Sequence, residues 1–344
     1  MTSAPLRTAV IGYGLGGRVF HTPFLAASPD YSLDGVVTGS PERAAAVREQ
    51  YGDIVIPDAD ALLARAGDFD VVVVTTPNAT HAPLAHRALD AGLHVVVDKP
   101  FALTAADATA LVEHAAAVGR TISVFHNRRW DGDFLTVRRV IDEGLVGSVR
   151  VFESAFEVWK PTLGAKKWKE GAAAADGGGV LFDLGPHVVD QALQLFGPVA
   201  EVHAELDARR DGAVADDDAF VTLRHENGVR SRLWTSVVAP SPRPRFRVIG
   251  SSAVFATRGL DPQEAQLAGG ATPGDPGYGL EGAAVGVLSR PGAPDEELPL
   301  DAGDYPAFYR GFAAAVLAGE PVPVAPEDAV EVLRIIEEAH RQGR

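Results

Sequence analysis

The 344-residue chain contains no cysteine. That one absence excludes disulfides, thiolate metal sites and cysteine nucleophiles together. Positive charge is also scarce, with 31 Lys and Arg against 46 Asp and Glu, a formal net charge of −15. An acidic surface of this kind argues against nucleic acid and anionic membranes as partners. It also means that any phosphate-bearing ligand must find a local nest of backbone N–H groups or basic side chains. No apolar stretch approaches the roughly 20 residues that a membrane span requires. The opening MTSAPLRTAVIGYG runs straight into a strand pattern without a charged-then-apolar leader, so a cytoplasmic protein is expected. A G-x-S-x-G elbow for serine hydrolysis is missing. Asp183 and His187 could ligate zinc, but no third ligand stands at a diagnostic spacing, so no metal is expected.

What is present is enough for a substantial core. Hydrophobic residues make up 46% of the chain and charged residues 22%, and the length suits about two domains. The first third alternates between two periods. Strand-like runs at Arg7–Ile11, Ser32–Val37, Val71–Thr75, His94–Val97 and Thr121–Val124 are separated by helical patterns at Pro41–Tyr51, Ala79–Ala91 and Thr104–Val118. Near-continuous valine suits strands covered on both faces, and the alternation predicts a doubly wound parallel α/β domain over residues 1–125. The texture changes near His126. A helix at Phe134–Glu143 and a strand at Ser148–Val158 lead to a helix over Asp183–Phe196. Consecutive strands follow at Ala200–Ala208, Ala219–His225, Val229–Val238, Phe246–Gly250 and Ala253–Thr257, predicting an open, largely antiparallel sheet in a second domain, 126–344. Gly269–Gly292 reads as a long loop. The closing helices, Tyr305–Ala318 and Pro326–Arg341, are candidates to pack back on the first domain. No internal repeat, coiled coil or disordered tail is evident.

The stretch Gly12-Tyr13-Gly14-Leu15-Gly16-Gly17 matches G-x-G-x-x-G after the first strand. Gly12 permits the turn, Gly14 lets a pyrophosphate approach the backbone, and Gly17 lets helix and strand pack closely. A helix N-terminus there offers free N–H groups, Leu15 included. At the end of the second strand an NAD enzyme usually carries an acid for the ribose hydroxyls. This chain has Thr38-Gly39-Ser40-Pro41-Glu42-Arg43. Thr38, Ser40 and Arg43 suit a 2′-phosphate through hydroxyl and charge-assisted hydrogen bonds, so NADP is favoured and NAD remains possible. Arg43 could equally be a solvated first-turn residue, and Glu42 could reach a ribose.

Lys99, in Asp98-Lys99-Pro100, follows a valine strand and sits at a carboxyl-terminal strand edge, with Pro100 stiffening the turn. Asp183 and His187 lie four residues apart, so on a helix they share a face. A carboxylate beside an imidazole is minimal equipment for moving a proton near neutral pH. Asp183, His187, Asp190 and Gln194 make a polar stripe opposite Leu184, Val188, Ala192, Leu193 and Phe196. An amphipathic helix with a capping aspartate and a wet face would look the same. Pro186 is tolerable only in the first turn, which puts Asp183 at the helix start. Gly177-Gly178-Gly179 is either a hinge or a close-approach loop.

GYGLGGRVFHTPF at the start, TTPNATH at Thr75–His81, DKPF at Asp98–Phe101, SVFHNRRWDGDFL at Ser123–Leu135 and GGGVLFDLGPHVVDQ at Gly177–Gln191 together resemble the Gfo/Idh/MocA oxidoreductases. Within that family the chain is most similar to the NADP-dependent scyllo-inositol dehydrogenase branch, in the same motif order throughout. The resemblance implies a Rossmann domain followed by an α/β domain whose open sheet carries homodimer or homotetramer contacts, with the active site between the domains. It implies Lys99, Asp183 and His187 as the catalytic set. His187 would be the base, Asp183 its orienting partner, and Lys99 the group that holds the substrate hydroxyl. It also implies cofactor contacts from Thr76, Pro77, Asn78 and His81 near the nicotinamide ribose, from Lys99 and Pro100, and from Asn127 and Trp168, with Arg128 lining the cleft. Asp98 departs from the family's usual glutamate. Trp168-Lys169 stands where relatives often show Trp-Arg, and lysine lacks the guanidinium fork for a bidentate contact there. The substrate would be a cyclic polyol such as an inositol, with an aldose, a sugar acid or a dihydrodiol as alternatives. A non-catalytic dinucleotide-binding sensor is the rival class, and possession of all three catalytic residues favours the enzyme.

Overall fold

The four valines Val71–Val74 are each 0% exposed. A strand apolar on both faces needs cover on both, the condition that crossover helices provide for a parallel sheet. The computed structural model describes residues 4–164, 173, 176–280 and 285–343. In it β1 (Leu6–Ile11), β2 (Tyr31–Val37), β3 (Val55–Ile56), β4 (Val71–Val74), β5 (His94–Val97) and β6 (Ile122–Val124) form a parallel sheet in the order β3-β2-β1-β4-β5-β6. This is the doubly wound order. Its direction reverses between β1 and β4, and ligands bind such sheets outside the carboxyl ends of the strands at that reversal. Ser40 and Thr104 cap two of the covering helices by accepting the N–H groups of Arg43 and Asp107. β3, only two residues long, carries no pattern that a sequence could display.

The described chain divides into two compact units. The first runs through His126 and also takes in Glu264–Tyr278 and Tyr305–Val330. Its core includes the helix Pro306–Ala318, whose Tyr309 stacks on Phe24 at 6.0 Å while Phe308 meets Phe125 edge-on at 4.9 Å.

The second unit holds β7 (Val151–Glu157), β8 (Val199–Asp207), β9 (Asp218–His225), β10 (Arg230–Ser236), β11 (Phe246–Ile249), β12 (Val254–Thr257), β13 (Val285–Ser289) and β14 (Glu296–Pro299). They form one sheet, ordered β14-β13-β12-β11-β7-β10-β9-β8. Along β9 buried residues alternate strictly with half-buried ones, as a sheet with a single packed face requires. The helix Val180–Phe196 lies against β7, β9 and β10. The sheet is mostly antiparallel, but β10 pairs with β7 in parallel. β13 corrects the expectation of a continuous loop from Gly269 to Gly292. Val285–Ser289 alternates over five residues only, too short a signal beside the Gly- and Pro-rich sequence around it. Among the described residues no helix is long and apolar enough to cross a membrane.

Candidate active site

In the first unit the nucleotide turn is built by the three fingerprint glycines. Gly12 has φ +109°, and a Cβ there would lie 2.5 Å from the Thr75 carbonyl oxygen. A Cβ on Gly17 would lie 2.1 Å from the Gly12 carbonyl oxygen, so strand and helix approach as closely as glycine allows. Around Gly14 nothing lies within 4 Å of the Cβ position. That open backbone at a helix start fits a dinucleotide pyrophosphate. Leu15, at the same helix start, is 54% exposed. The chain then winds a π-helical turn, Gly16–His21, in which the Thr22 N–H donates to the Gly17 carbonyl. The wider turn carries one residue more than an α-turn, and His21 at its end is fully buried.

After β2, the Ser40 N–H donates to the Thr38 hydroxyl at 3.3 Å, and the Ser40 hydroxyl accepts the Arg43 N–H. Arg43 is exposed in the first helical turn, next to Glu42.

The ends of β4 and β5 are tied to each other. The Thr75 hydroxyl donates to Asp98 Oδ2 at 3.1 Å, and Asp98 Oδ1 accepts the Lys99 N–H at 2.7 Å. The Lys99-Pro100 peptide is cis. Thr76, Pro77 and Asn78 form the turn after β4, which leads into a short 3₁₀ segment, Asn78–Thr80. His81 is 1% exposed, with Nδ1 2.7 Å from the Pro100 carbonyl and Nε2 2.8 Å from the Thr76 carbonyl. Sequence reasoning put this ring near the nicotinamide ribose. In the structure both its nitrogens lie against the backbone, clamping the turn after β4 to the turn after β5.

In the second unit Asp183 and His187 occupy one helix, one turn apart. The helix begins at Val180, three residues before the expected start, so Pro186 lies in the second turn instead of the first. The reason is distant in sequence. Asp216 caps the helix from before β9, its carbonyl accepting the Val180 N–H and its Oδ2 the Leu181 N–H, both at 2.7 Å. Gly179, with φ +100°, makes room for that carboxylate, since a Cβ would meet Asp216 Oδ1 at 2.3 Å. Close approach is therefore the role of this glycine.

Two members of the polar stripe are buried and two, Asp183 and Gln194, are half-buried. His187 is 6% exposed and Asp190 1%. Asp190 accepts two hydrogen bonds from Arg129, at 2.9 and 2.6 Å. Gln191 donates to the Arg128 carbonyl at 2.8 Å and accepts from Arg245 at 2.9 Å. Arg245 is fully buried and donates to the Ser154 hydroxyl as well. The Phe156 ring lies 6.2 Å from the His187 ring, and the Arg128 guanidinium lies 4.7 Å over Phe156. His187 thus stands on an aromatic ring backed by two buried cations. Asn127, 5% exposed, begins the 3₁₀ turn that carries Arg128 and Arg129. Arg245, Phe156 and Asp216 were not anticipated. Trp168 and Lys169 lie outside the described residues, and among the described residues no three His, Asp or Glu side chains gather as a metal site.

One buried group sets a pH dependence. Asp133 is 4% exposed, and neither carboxylate oxygen has a hydrogen-bond partner. Burial and the Asp131 charge push its carboxyl up to about 7, and the same two causes push Asp261 up to about 6. An acid whose pKa is raised by folding binds its proton more tightly in the native state. Its contribution to stability is therefore present below the ordinary carboxylate range and is lost as pH rises toward 7. Asp133→Asn is expected to raise the melting temperature by several degrees at pH 8 and by clearly less at pH 5, where only part of the contribution has been lost, since ~1 kcal/mol corresponds to a few degrees in a chain of this class. Equal shifts at both pH values would sink the assignment.

The comparisons with known proteins agree with both units. Residues 6–126 match the oxidoreductase family with an NAD-binding Rossmann fold, and residues 134–256 match the GFO/IDH/MocA C-terminal domain. The oxidoreductase YdgJ of Escherichia coli is 35% identical across 96% of this chain and 94% of its own. The scyllo-inositol 2-dehydrogenase (NADP(+)) IolW of Bacillus subtilis is 32% identical across 98% of this chain and 94% of its own. Among solved structures, the oxidoreductase yvaA of Bacillus subtilis superposes with a TM-score of 0.92 at 31% identity, over all of this chain and 97% of that one. With the glycine turn, the strand order and the two-unit division already in place, the chain belongs to the Gfo/Idh/MocA family of NAD(P)-binding oxidoreductases.

Proposed function

We propose that this protein is a cytoplasmic NADP(H)-dependent dehydrogenase that interconverts a secondary hydroxyl of a cyclic polyol or sugar, inositol-like in shape, with its ketone. The observation that carries the reading is the burial of His187, one turn from Asp183, in a helix whose polar face would otherwise be expected to meet solvent. A base excluded from bulk water takes a proton from a bound hydroxyl without competition from solvent. His187 accepts the hydroxyl proton, Asp183 orients the ring and stabilises the imidazolium, and Lys99 holds the hydroxyl oxygen as negative charge grows on it. The nicotinamide, when bound, supplies the redox step by exchanging a hydride with the carbinol carbon. Gly12, Gly14, Leu15 and Gly17 hold the pyrophosphate side, and Thr76, Pro77, Asn78, Pro100, Asn127 and Trp168 the nicotinamide side.

The inositol reading leans on the similarity to IolW along nearly the whole chain. The NADP preference leans on the end of β2, where Thr38 and Ser40 present hydroxyls and Arg43 an exposed guanidinium. The Ser40 oxygen accepts a backbone N–H, which leaves its proton to donate to a phosphate. Arg43→Ala is expected to weaken NADP⁺ binding about tenfold, one charge-assisted hydrogen bond in size, while NAD⁺ binding stays as it was. Unchanged selectivity would sink the 2′-phosphate assignment. The function itself is tested by nicotinamide absorbance with NADP⁺ and NAD⁺ against scyllo-inositol, myo-inositol and common aldoses. Turnover with NADP⁺ and an inositol is expected. Turnover with aldoses alone would remove the inositol assignment, and tight cofactor binding without turnover would favour a sensor. The assembly expected is a homodimer or homotetramer, checked by light scattering.

A further inference from the structure

The buried histidine at the end of the π turn has no part in the chemistry above. His21 is 0% exposed and packs against Phe125, with ring centroids 4.6 Å apart. Its Nδ1 lies 2.6 Å from the Tyr309 hydroxyl, and its Nε2 lies 3.5 Å from Asp98 Oδ2. Phe24 and Phe125 flank Tyr309 in the same cluster. An apolar aromatic side chain would fill such a pocket at no desolvation cost, so the imidazole at this place calls for a polar reason.

Asp98 supplies it. One of its oxygens accepts the Lys99 N–H and the other the Thr75 hydroxyl. A Cβ on Gly16 would sit 2.8 Å from Asp98 Oδ2, so the carboxylate is seated directly under the nucleotide turn. Burial alone would raise this carboxyl; the His21 ring 3.5 Å away and the nearby Lys99 instead hold it down at about 2. Burial keeps the Tyr309 phenol protonated, far above its ordinary range. A carboxylate repels the bare lone pair of an imidazole nitrogen. Whether the ring is neutral or charged, the hydrogen therefore belongs on Nε2, facing Asp98.

We propose that His21 is a positioning residue for Lys99, acting through Asp98: the buried ring holds the carboxylate that grips the Lys99 amide, and so fixes both the turn and the negative charge beside the ammonium. The proposal rests on the reading of Lys99 as the group that holds the substrate hydroxyl. It explains why a polar residue stands in an aromatic pocket, and why the π turn ends where it does. The charged and titratable groups involved are Asp98 and Lys99 after β5, His81 at the start of the helix His81–Asp90, Tyr309 on the helix Pro306–Ala318, and His21 itself.

The test uses the full-length enzyme with NADP⁺ and the polyol that it turns over. Asp98→Asn keeps the shape and removes the charge. The Lys99 N–H then loses a charged acceptor, and kcat should fall about tenfold, one positioned hydrogen bond in size, with the KM for NADP⁺ unchanged; Asp98→Glu should recover much of that loss. His21→Phe keeps the aromatic filling and removes the donor, and should lower kcat about tenfold, one positioned hydrogen bond in size, with the KM for NADP⁺ unchanged. His21→Gln, an amide donor, should recover much of that loss. Independently of activity, the ¹⁵N-histidine spectrum should show a ring with a protonated Nε2 that disappears in His21→Phe. If His21→Phe fails to fold, Asp98→Asn, His21→Gln and the spectrum carry the test. An unchanged kcat in Asp98→Asn, or a His21 ring protonated on Nδ1 alone, overturns the proposal. Lys99→Met separates the two levels. Wild-type turnover in that variant defeats the reading of Lys99 and the proposal with it. A dead Lys99→Met beside an unchanged kcat in Asp98→Asn defeats only the positioning role.

Discussion

His187→Ala is expected to lower kcat by about 10²–10⁴-fold, the range for loss of a positioned general base, while the affinity for NADP⁺ stays at the wild-type value. The two quantities separate because the side chain stands on the helix Val180–Phe196, whereas the glycine turn that fits the pyrophosphate is built from β1 and the segment after it. The alanine also leaves a void beside Phe156, whose ring lies 6.2 Å from the imidazole, so some loss of melting temperature accompanies it. His187→Gln controls for that void. It fills the space, cannot take up the proton, and should be about as slow as the alanine variant. Steady-state rates combined with cofactor titration decide the matter. Equal losses in turnover and cofactor affinity would overturn the assignment of His187 as base.

The second large effect concerns stability. Asp190 and Arg129 form a two-bond ion pair with side chains 2% and 7% exposed. Breaking a buried pair by removing one partner costs about 3–5 kcal/mol. Asp190→Ala is therefore expected to lower the melting temperature by on the order of 10 °C, taking a few degrees per kcal/mol. The physical cause is the penalty of a desolvated guanidinium that has lost its bidentate partner. Replacing both residues by apolar ones of similar size should recover most of the loss, because the desolvation cost leaves with the charges. A shift below about 1 kcal/mol in the single variant, the size of an exposed pair, would mean that the Arg129 charge is satisfied elsewhere. The same helix carries Asp183 and His187, so turnover measured well below the transition shows whether the pair also holds the site in shape.

Much of the first unit could be read directly from the sequence. Four successive valines in β4 leave little choice but a strand covered on both faces, and the glycines at 12 and 17 are demanded by contacts that a Cβ would violate. In the second unit the alternation along β9 was equally plain. What could not be read depends on residues far apart in the chain. The helix carrying Asp183 starts early because Asp216 reaches its first N–H groups, and no local pattern announces a cap supplied from 35 positions away. Arg245 follows a proline-rich segment, and its burial is explained only by Gln191 and Ser154 on other elements. The stripe of Asp183, His187 and Asp190 looked solvated because periodicity reports that a face is polar. It does not report whether an arginine such as Arg129 is waiting there. His21 was visible within the opening motif, but its partner Asp98 stands just after a strand, 77 positions later.

The π turn from Gly16 to His21 has a consequence for how the chain can change over time. Most one-residue insertions and deletions fall in surface loops, where the backbone absorbs them. Here the extra residue is inside the element that receives the cofactor. Deleting it would return the segment to an ordinary helix and swing everything after it by about 100°, one residue's share of a helical turn. His21 would leave the Tyr309 hydroxyl and the Asp98 carboxylate, and Phe24 would leave the aromatic cluster. The spacing from Gly12 to Phe24 is thus a fixed length. Substitutions can drift within it, but a gap cannot open there without dismantling the nucleotide turn and the lysine turn together.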